Sequence, residues 1–571
     1  MNGSFSPGTR WNRFWFAGEA RLSLSVCRIG VATSVLLSLY KLHTPNFDSA
    51  LAKLPVELYN PVGILRILGS GVPSAGLLGA LQTIAWLATI AMLFGLAARV
   101  STVVSLVTAL ALASFQSSFS PGWHHVYPLV FLAQIPLAFA PVGDVLSIDA
   151  LIRKRRRRAL PSRDRGNYVW GVRLVQFAIA LVFFNAFHHK IIQAGFSLDW
   201  ALSDNLRHHL LMRYDWVGRE RSPVADWLLQ SEYRYKTAAL LNLAAQSLPL
   251  VACFVWRRAW LRLALGSLFA IETIALGLVM EMWNLHWLPL AVVFVDWDRL
   301  LQWMGKRLAS KNYSYDAPTT SDVVSKRLIS SWIGFYLLCW LVLGFMHPPI
   351  DQKANLFPFS RFPMFSGMRV SKPYDQHRSY EVLGTRLEID SHPPVSKRMQ
   401  SEINRRYSYR WLHRISDPQV LEARLASVAK DMKRRYKIED VKSVTLWLTV
   451  FQAPAYPAKA EFIEHRIAIS GHWSPHEPFV SYLRAVKTTK GSKEGQLGVG
   501  RAIPDGATVL YHPDDGLVPV PILLEPLGTA LENSSYYRDV VGDAQVFVVH
   551  VTQEDGSVRP FTLSRAPRFG W

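Results

Sequence analysis

Cysteine is nearly absent from this 571-residue chain, and the three that occur, Cys27, Cys253 and Cys339, each lie inside a long apolar run. That argues against a disulfide framework, and no CxxC spacing offers a zinc site. Charge is scarce too. Asp, Glu, Lys and Arg make up 18% of the residues, against roughly 25% in an average soluble chain. Acidic residues are the rarer sign, 42 against 63 basic ones, which leaves a formal net charge of +21. Apolar residues fill the gap at 50%, with 20 tryptophans among them. This content excludes disorder and a collagen-like chain. A basic chain with so few charges and so many tryptophans is not the profile of a soluble enzyme.

A clean secretory signal is also missing. Arg10, Arg13 and Arg21 precede an apolar stretch from Leu22 to Leu42, which is long enough to span a bilayer and has no small-residue cleavage site. It reads as a first membrane helix. A span needs about 20 mostly apolar residues. Such runs sit at Leu22–Leu42, Ala75–Leu96, Val100–Phe119, His125–Pro141, Tyr168–Phe187, Thr237–Trp256, Trp260–Met280, Trp283–Val295 and Leu328–Met346, of which the eighth is short and either spans or re-enters. The expected architecture is a polytopic α-helical membrane bundle of about nine spans over residues 1–346. An extracytoplasmic α+β domain over 347–571 follows it.

Positive charge sets the orientation. The basic segments are Arg10/Arg13/Arg21, Arg99, Arg153–Arg158, Arg257/Arg258/Arg262 and Arg299/Lys306/Arg307/Lys311. With nine spans all five fall on one side. The N-terminus is then cytoplasmic, and everything after Met346 is periplasmic or lumenal. The hexamer Arg153–Arg158 directly follows a membrane helix, so it reads as a topology anchor against anionic lipid and not as a nucleic-acid motif. Membrane lipid is the expected surface partner.

From His347 onward prolines, charges and strand-like alternation replace the apolar runs. Val444–Phe451 and Ala544–Thr552 read as strands. Ile415–Tyr436 reads as a basic amphipathic helix, with Val420, Leu421, Leu425 and Val428 at helical spacing. This part has no GxGxxG, GxSxG, P-loop or HExxH. At its start, Phe357–Phe365 packs aromatics and prolines densely beside the last span. That stretch is either an interfacial aromatic belt or a cap on the bundle's mouth.

Ionisable groups at the ends of spans or within them carry a functional expectation. Span four opens with Trp123-His124-His125-Val126-Tyr127, and span five ends with Asn185-Ala186-Phe187-His188-His189-Lys190. Span seven carries Glu272, and Glu281 ends it. By the orientation above, His125 and Lys190 lie at the same level, on the side of the C-terminal domain. An ammonium at a helix end ordinarily snorkels to the headgroups. Facing a dry cavity instead, burial favours the uncharged amine, which can act as base or nucleophile. The pairs His124–His125, His188–His189 and His208–His209 invite a metal reading. Adjacent helix residues point about 100° apart, however, and cannot chelate as an i, i+4 pair can. No metal site is expected.

At these residues the chain resembles the vitamin K-dependent γ-glutamyl carboxylases and their bacterial relatives, the HTTM (horizontally transferred transmembrane) proteins. Trp123-His124-His125-Val126-Tyr127-Pro128, with Ser147-Ile148-Asp149 after the helix, is similar to the family's Asn-His helix and its Ser-(Val/Leu/Ile)-Asp exit. Arg173-Leu174-Val175-Gln176, running through Phe183-Phe184-Asn185-Ala186 to Lys190 and then Trp200, is similar to the helix that ends in the family's catalytic lysine. Spans six to eight carry a weaker likeness, and coverage runs over roughly residues 15–305. His124 stands where the family has Asn, and Glu272 stands where it has a histidine.

The resemblance implies an enzyme that couples oxygenation of a reduced vitamin K or related quinol to carboxylation of a peptide glutamate. Lys190 matches the lysine that deprotonates the hydroquinone. His125 matches the histidine that hydrogen-bonds the quinone, so both are catalytic candidates and His125 is also the cofactor-binding one. The implied partner is a secreted Glu-containing peptide or protein, with no nucleic acid involved. The competing reading is a non-catalytic membrane scaffold for export, immunity or reception, built on the same bundle.

Overall fold

The computed structural model describes residues 7–17, 20–42, 59, 61–62, 64–69, 71–118, 127–156, 166–216, 221–304, 320–342, 370, 380–396, 399–400, 403–404, 418–461, 463–477, 480–481, 484–485, 497–498, 546–552 and 558–564. Its first half is helical: α1 (Pro7–Phe16), α2 (Arg21–Leu42), α3 (Ala75–Phe94), α4 (Ala98–Ser118), α5 (Pro128–Phe139), α6 (Ile148–Arg155) and α7 (Gly166–Gln193). Short α8 (Asp199–Leu202), α9 (Asn205–Leu211) and α10 (Pro223–Leu229) then lead into α11 (Glu232–Phe254), α12 (Ala259–Gly266) and α13 (Leu268–Met280). A 3₁₀ helix (Leu285–Phe294), α14 (Trp297–Trp303) and α15 (Thr320–Trp340) complete this part.

Among the described residues six apolar helices are long enough to cross a bilayer: α2, α3, α4, α7, α11 and the continuous Ala259–Met280 made of α12 and α13. Two expected spans are shorter. Helix α5 has 12 residues, a rise of about 18 Å against a core of about 30 Å. The 3₁₀ helix has 10 residues and reaches about 20 Å. Leu328–Met346 overlaps α15, and its last residues lie outside the described ones.

Helix α7 is apolar all round, and 94% of its most apolar window is buried, against 28% for α3 and 33% for α11. A helix without a polar face belongs in the centre, and α7 sits there. The outer helices turn Leu87, Leu241, Trp260 and Ile271 outward. An exposed apolar surface of that kind is what a lipid-facing helix presents. Close approach is made by small residues. A Cβ on Gly30 would lie 2.5 Å from Val292 Cγ2 and 2.8 Å from the Pro289 carbonyl oxygen, so glycine lets α2 rest on the 3₁₀ helix. A Cβ on Gly171 would lie 2.9 Å from Ala140 Cβ, which puts the start of α7 beside the end of α5. The two helices therefore run antiparallel, and Tyr127 at the start of α5 shares an end of the bundle with Lys190.

The opposite end gathers the described residues of the basic segments. Arg28, fully buried on α2, donates to the carbonyls of Val142 (2.7 Å) and Leu146 (2.6 Å). Asp149 accepts from the amides of Ala97 and Ala98, both at 2.8 Å, and so caps α4. Ser147 caps α6 through the Ala150 amide. The Ser-Ile-Asp stretch is thus a double helix cap joining two turns. Asp298 takes the amides of Leu22 and Ser23 at the start of α2. Arg173 stacks on Trp256, 4.4 Å from the ring centroid, and donates to the Ala17 carbonyl.

Beyond the bundle, β1 (Tyr380–His392), β2 (Asp440–Ala453), β3 (Ile463–Trp473) and β4 (Val480–Ser481) form an antiparallel sheet in that order. Leu387 faces Leu446 and Ile389 faces Val444 across the first pair. These alternate residues cover Leu421, Leu425, Val428 and Met432 of α16 (Pro418–Tyr436). The amphipathic helix and the first strand read from the sequence both occur. Two small hairpins, β5–β6 (Arg484–Ala485, Leu497–Gly498) and β7–β8 (Val546–Thr552, Val558–Ser564), follow.

Candidate functional site

Helix α7 does not stop at Phe187. It continues to Gln193, so Lys190 lies in its last turn with 1% of its surface exposed. The ammonium does not snorkel outward but points into the bundle. Its Nζ donates to Asn242 Oδ1 at 2.6 Å and Gln246 Oε1 at 2.8 Å, and sits 4.2 Å from the centroid of the Trp200 ring. Two carbonyl oxygens and a π face meet the three donors of an ammonium.

Asn242 and Gln246 are four residues apart on α11 and share a face. Each turns its other amide atom to one carboxylate oxygen: Asn242 Nδ2 donates to Glu272 Oε1 at 2.9 Å and Gln246 Nε2 donates to the same atom at 2.6 Å. Lysine only donates and an ionised carboxylate only accepts, so the orientation of both amides is forced. The result is a lysine–amide–glutamate relay through three helices. Glu272, 3% exposed, keeps its second oxygen, Oε2, without a hydrogen-bond partner among the described residues.

The relay lies between two apolar cores. On one side Phe183, seven residues before Lys190 and on the same helix face, packs against Phe269 and Trp287 at 5.4 and 5.8 Å between ring centroids. On the other, Trp200, Leu210, Tyr214, Tyr235, Leu243 and Met280 form a second cluster, with Phe187 at its margin. Buried polar residues mark the seam: Asn185, His189, Asn205, Arg207, His208 and His209. Asn185 is fully buried, and neither atom of its amide finds a partner among the described residues.

The C-terminal domain closes over this seam. The connection between β2 and β3 brings Tyr456, whose amide donates to Asp204 Oδ2 at 2.8 Å, while Tyr235 Oη donates to the other oxygen of that carboxylate. Arg207 donates to the carbonyls of Leu229 (3.2 Å), Pro454 (3.2 Å) and Ala458 (2.7 Å), and Arg221 donates to that of Ala460 at 2.6 Å. Burial holds the Arg207 guanidinium below its usual range, and the neighbouring Asp204 opposes that fall. Tyr235, Asn242 and Gln246 lie along one face of α11, so the domain contact and the relay share a support.

His125 and His124 lie outside the described residues, as does Phe357–Phe365. The described neighbour of His125 is Tyr127, at the Lys190 end, with its ring 5.9 Å from that of buried His286. Lys190, Glu272 and Trp200 come together. The rings of His188 and His189 stand 5.8 Å apart, and among the described residues no three His, Cys, Asp or Glu side chains gather as metal ligands do. Asn242, Gln246, His286 and Asp204 were not foreseen. Two amides spaced i, i+4 inside an apolar run were the signal for the first two. No protein-family model, curated protein or solved structure matches the chain.

Proposed function

We propose that the chain is an integral, multi-pass membrane enzyme of the vitamin K-dependent γ-glutamyl carboxylase type, akin to the HTTM proteins. In this reading nine segments enter the bilayer, the N-terminus is cytoplasmic, and the C-terminal domain is periplasmic or lumenal. The domain covers a pocket where a reduced vitamin K or related quinol meets O2 and CO2. Lys190 promotes ionisation of the quinol hydroxyl and His125 hydrogen-bonds the quinone. The oxygenated quinone removes a γ-proton from a glutamate of a secreted peptide, and the carbanion captures CO2. The observation that carries the reading is Lys190 itself: an ammonium 1% exposed near one end of an apolar bundle, beneath an ordered domain. An ionisable residue buried in a membrane bundle is a functional-site hypothesis by default.

The test is quinol-dependent incorporation of labelled CO2 into a glutamyl peptide by the purified full chain in lipid, with Lys190→Ala beside it. Loss in the variant, with partial rescue by a small primary amine, supports the reading. No incorporation by the parent protein across a range of Glu peptides sinks it. A scaffold without catalysis is the second reading. It is favoured by the complete engagement of the three Lys190 donors, which makes the relay a staple between α7, α11 and α13.

A further inference from the structure

We infer that Glu272, not Lys190, receives the proton from the bound hydroxyl, and that Lys190 serves as the counter-charge; this rests on the quinol reading above. Lys190 has no lone pair to offer while its three donors face Asn242, Gln246 and Trp200. Glu272 has one: Oε1 takes both amides, and Oε2 is buried with no partner among the described residues. A buried acceptor left open costs stability unless something fills it. A hydroxyl on an apolar ligand is the group that fits. It brings the missing donor without bringing a charge into an apolar site.

The step balances. The ligand's O–H bond breaks, its electron pair stays on the ligand oxygen, and the proton bonds to Glu272 Oε2. Before transfer the site holds one ammonium and one carboxylate. Afterwards it holds the same ammonium, a neutral carboxylic acid and a ligand oxyanion. The buried net charge is zero in both states, so no uncompensated charge is created in low dielectric. The negative charge moves from the carboxylate to the reacting oxygen, and the Lys190 ammonium serves as counter-ion throughout. The two amides hold Lys190 and Glu272 in place and need not move.

The experiment is infrared difference spectroscopy of the full chain in lipid nanodiscs, with reduced 2-methyl-1,4-naphthoquinone as the probe and binding followed by tryptophan quenching. The parent should gain a protonated-carboxyl C=O band on binding, and the band should shift in deuterated buffer. Glu272→Gln should bind the quinol and lack the band. Glu272→Asp keeps a carboxylate and should move the band instead of abolishing it, which separates chemistry from misfolding. Turnover in Glu272→Gln should fall by about 100-fold or more with KM little changed, the scale of losing a positioned acid–base group. Binding without the band in the parent, or the same band in Glu272→Gln, overturns the assignment to Glu272 and leaves the quinol reading standing. Absence of quinol binding by the parent overturns both.

Discussion

The two ends of the bundle treat buried charge differently. At the basic end, charges meet backbone and one another, as in the pairs Arg153–Asp144 and Arg262–Asp296. Arg28 is held by the carbonyls of Val142 and Leu146, while Asp149 and Asp298 are held by the amides that open α4 and α2. The two aspartates fill vacancies that a helix N-terminus creates in any chain, and Arg28 fills those of the loop between α5 and α6. At the other end, Lys190 and Glu272 meet side chains, through Asn242 and Gln246, and one carboxylate oxygen is left over. Backbone partners come with the fold. Side-chain partners have to be placed there, and an unused acceptor is not needed for structure. Under the proposed function, the charges at the basic end join helices and those at the other end receive a ligand.

That contrast can be broken by mutation. The largest effect on stability is expected from Lys190→Met, which leaves Glu272 buried without its counter-charge and should cost about 3–5 kcal/mol. The double change Lys190→Met with Glu272→Gln removes both charges and should recover most of that loss. Thermal unfolding of the detergent-solubilised protein measures both. Equal destabilisation in the single and double variants would mean that the two charges are not coupled. Arg28→Ala comes next, at about 1–3 kcal/mol in all, because it strips the donor from the carbonyls of Val142 and Leu146. It should lower the unfolding temperature while leaving quinol binding intact, which an effect on ligand affinity would contradict.

Arg207→Ala is intermediate. It removes charged bonds worth about 1.5–3 kcal/mol apiece in favourable cases, and those to Pro454 and Ala458 span the domain contact. Limited proteolysis should cut the β2–β3 connection faster in this variant, with the bundle's melting lowered only by the loss of the bond to Leu229. Unaltered cleavage would show that Arg221 and Tyr456 suffice to hold the domain. Asp149→Ala is the smallest. Loss of a helix cap costs about 0.5–2 kcal/mol, and a drop in turnover beyond what stability explains would blur the distinction between the two ends.

Long apolar runs made the six long helices legible in the sequence, because the bilayer demands length and apolarity together. Helix α5 reads from the sequence as a span of the same kind, since hydropathy reports polarity and not backbone geometry, whereas the run holding the 3₁₀ helix is visibly short. Each has a proline inside, Pro136 and Pro289. The end of α7 was placed early. His188, His189 and Lys190 look like a polar exit, whereas α8 to α11 pack around them and the helix runs on to Gln193. Lys190 and Glu272 stood out as charges in apolar runs. Asn242 and Gln246 did not, because an amide in a membrane helix is common and carries no charge to flag it. The link between Arg207 and the 454–458 stretch could not be read from sequence, since no local pattern connects residues about 250 positions apart.

That distance has a consequence during biosynthesis. Pro454, Tyr456 and Ala458 are made 247 to 252 residues after the partners they meet on α9 and its N-terminal flank. Arg207 and Asp204 must therefore wait through synthesis of the rest of the bundle and most of the sheet before their bonds close. A nascent chain stalled late in that interval has Arg207 and Asp204 joined to Leu229 and Tyr235 but still without their partners from the sheet. Completion of this helix-to-sheet contact is thus a late event, and the interval before it is set by chain length alone.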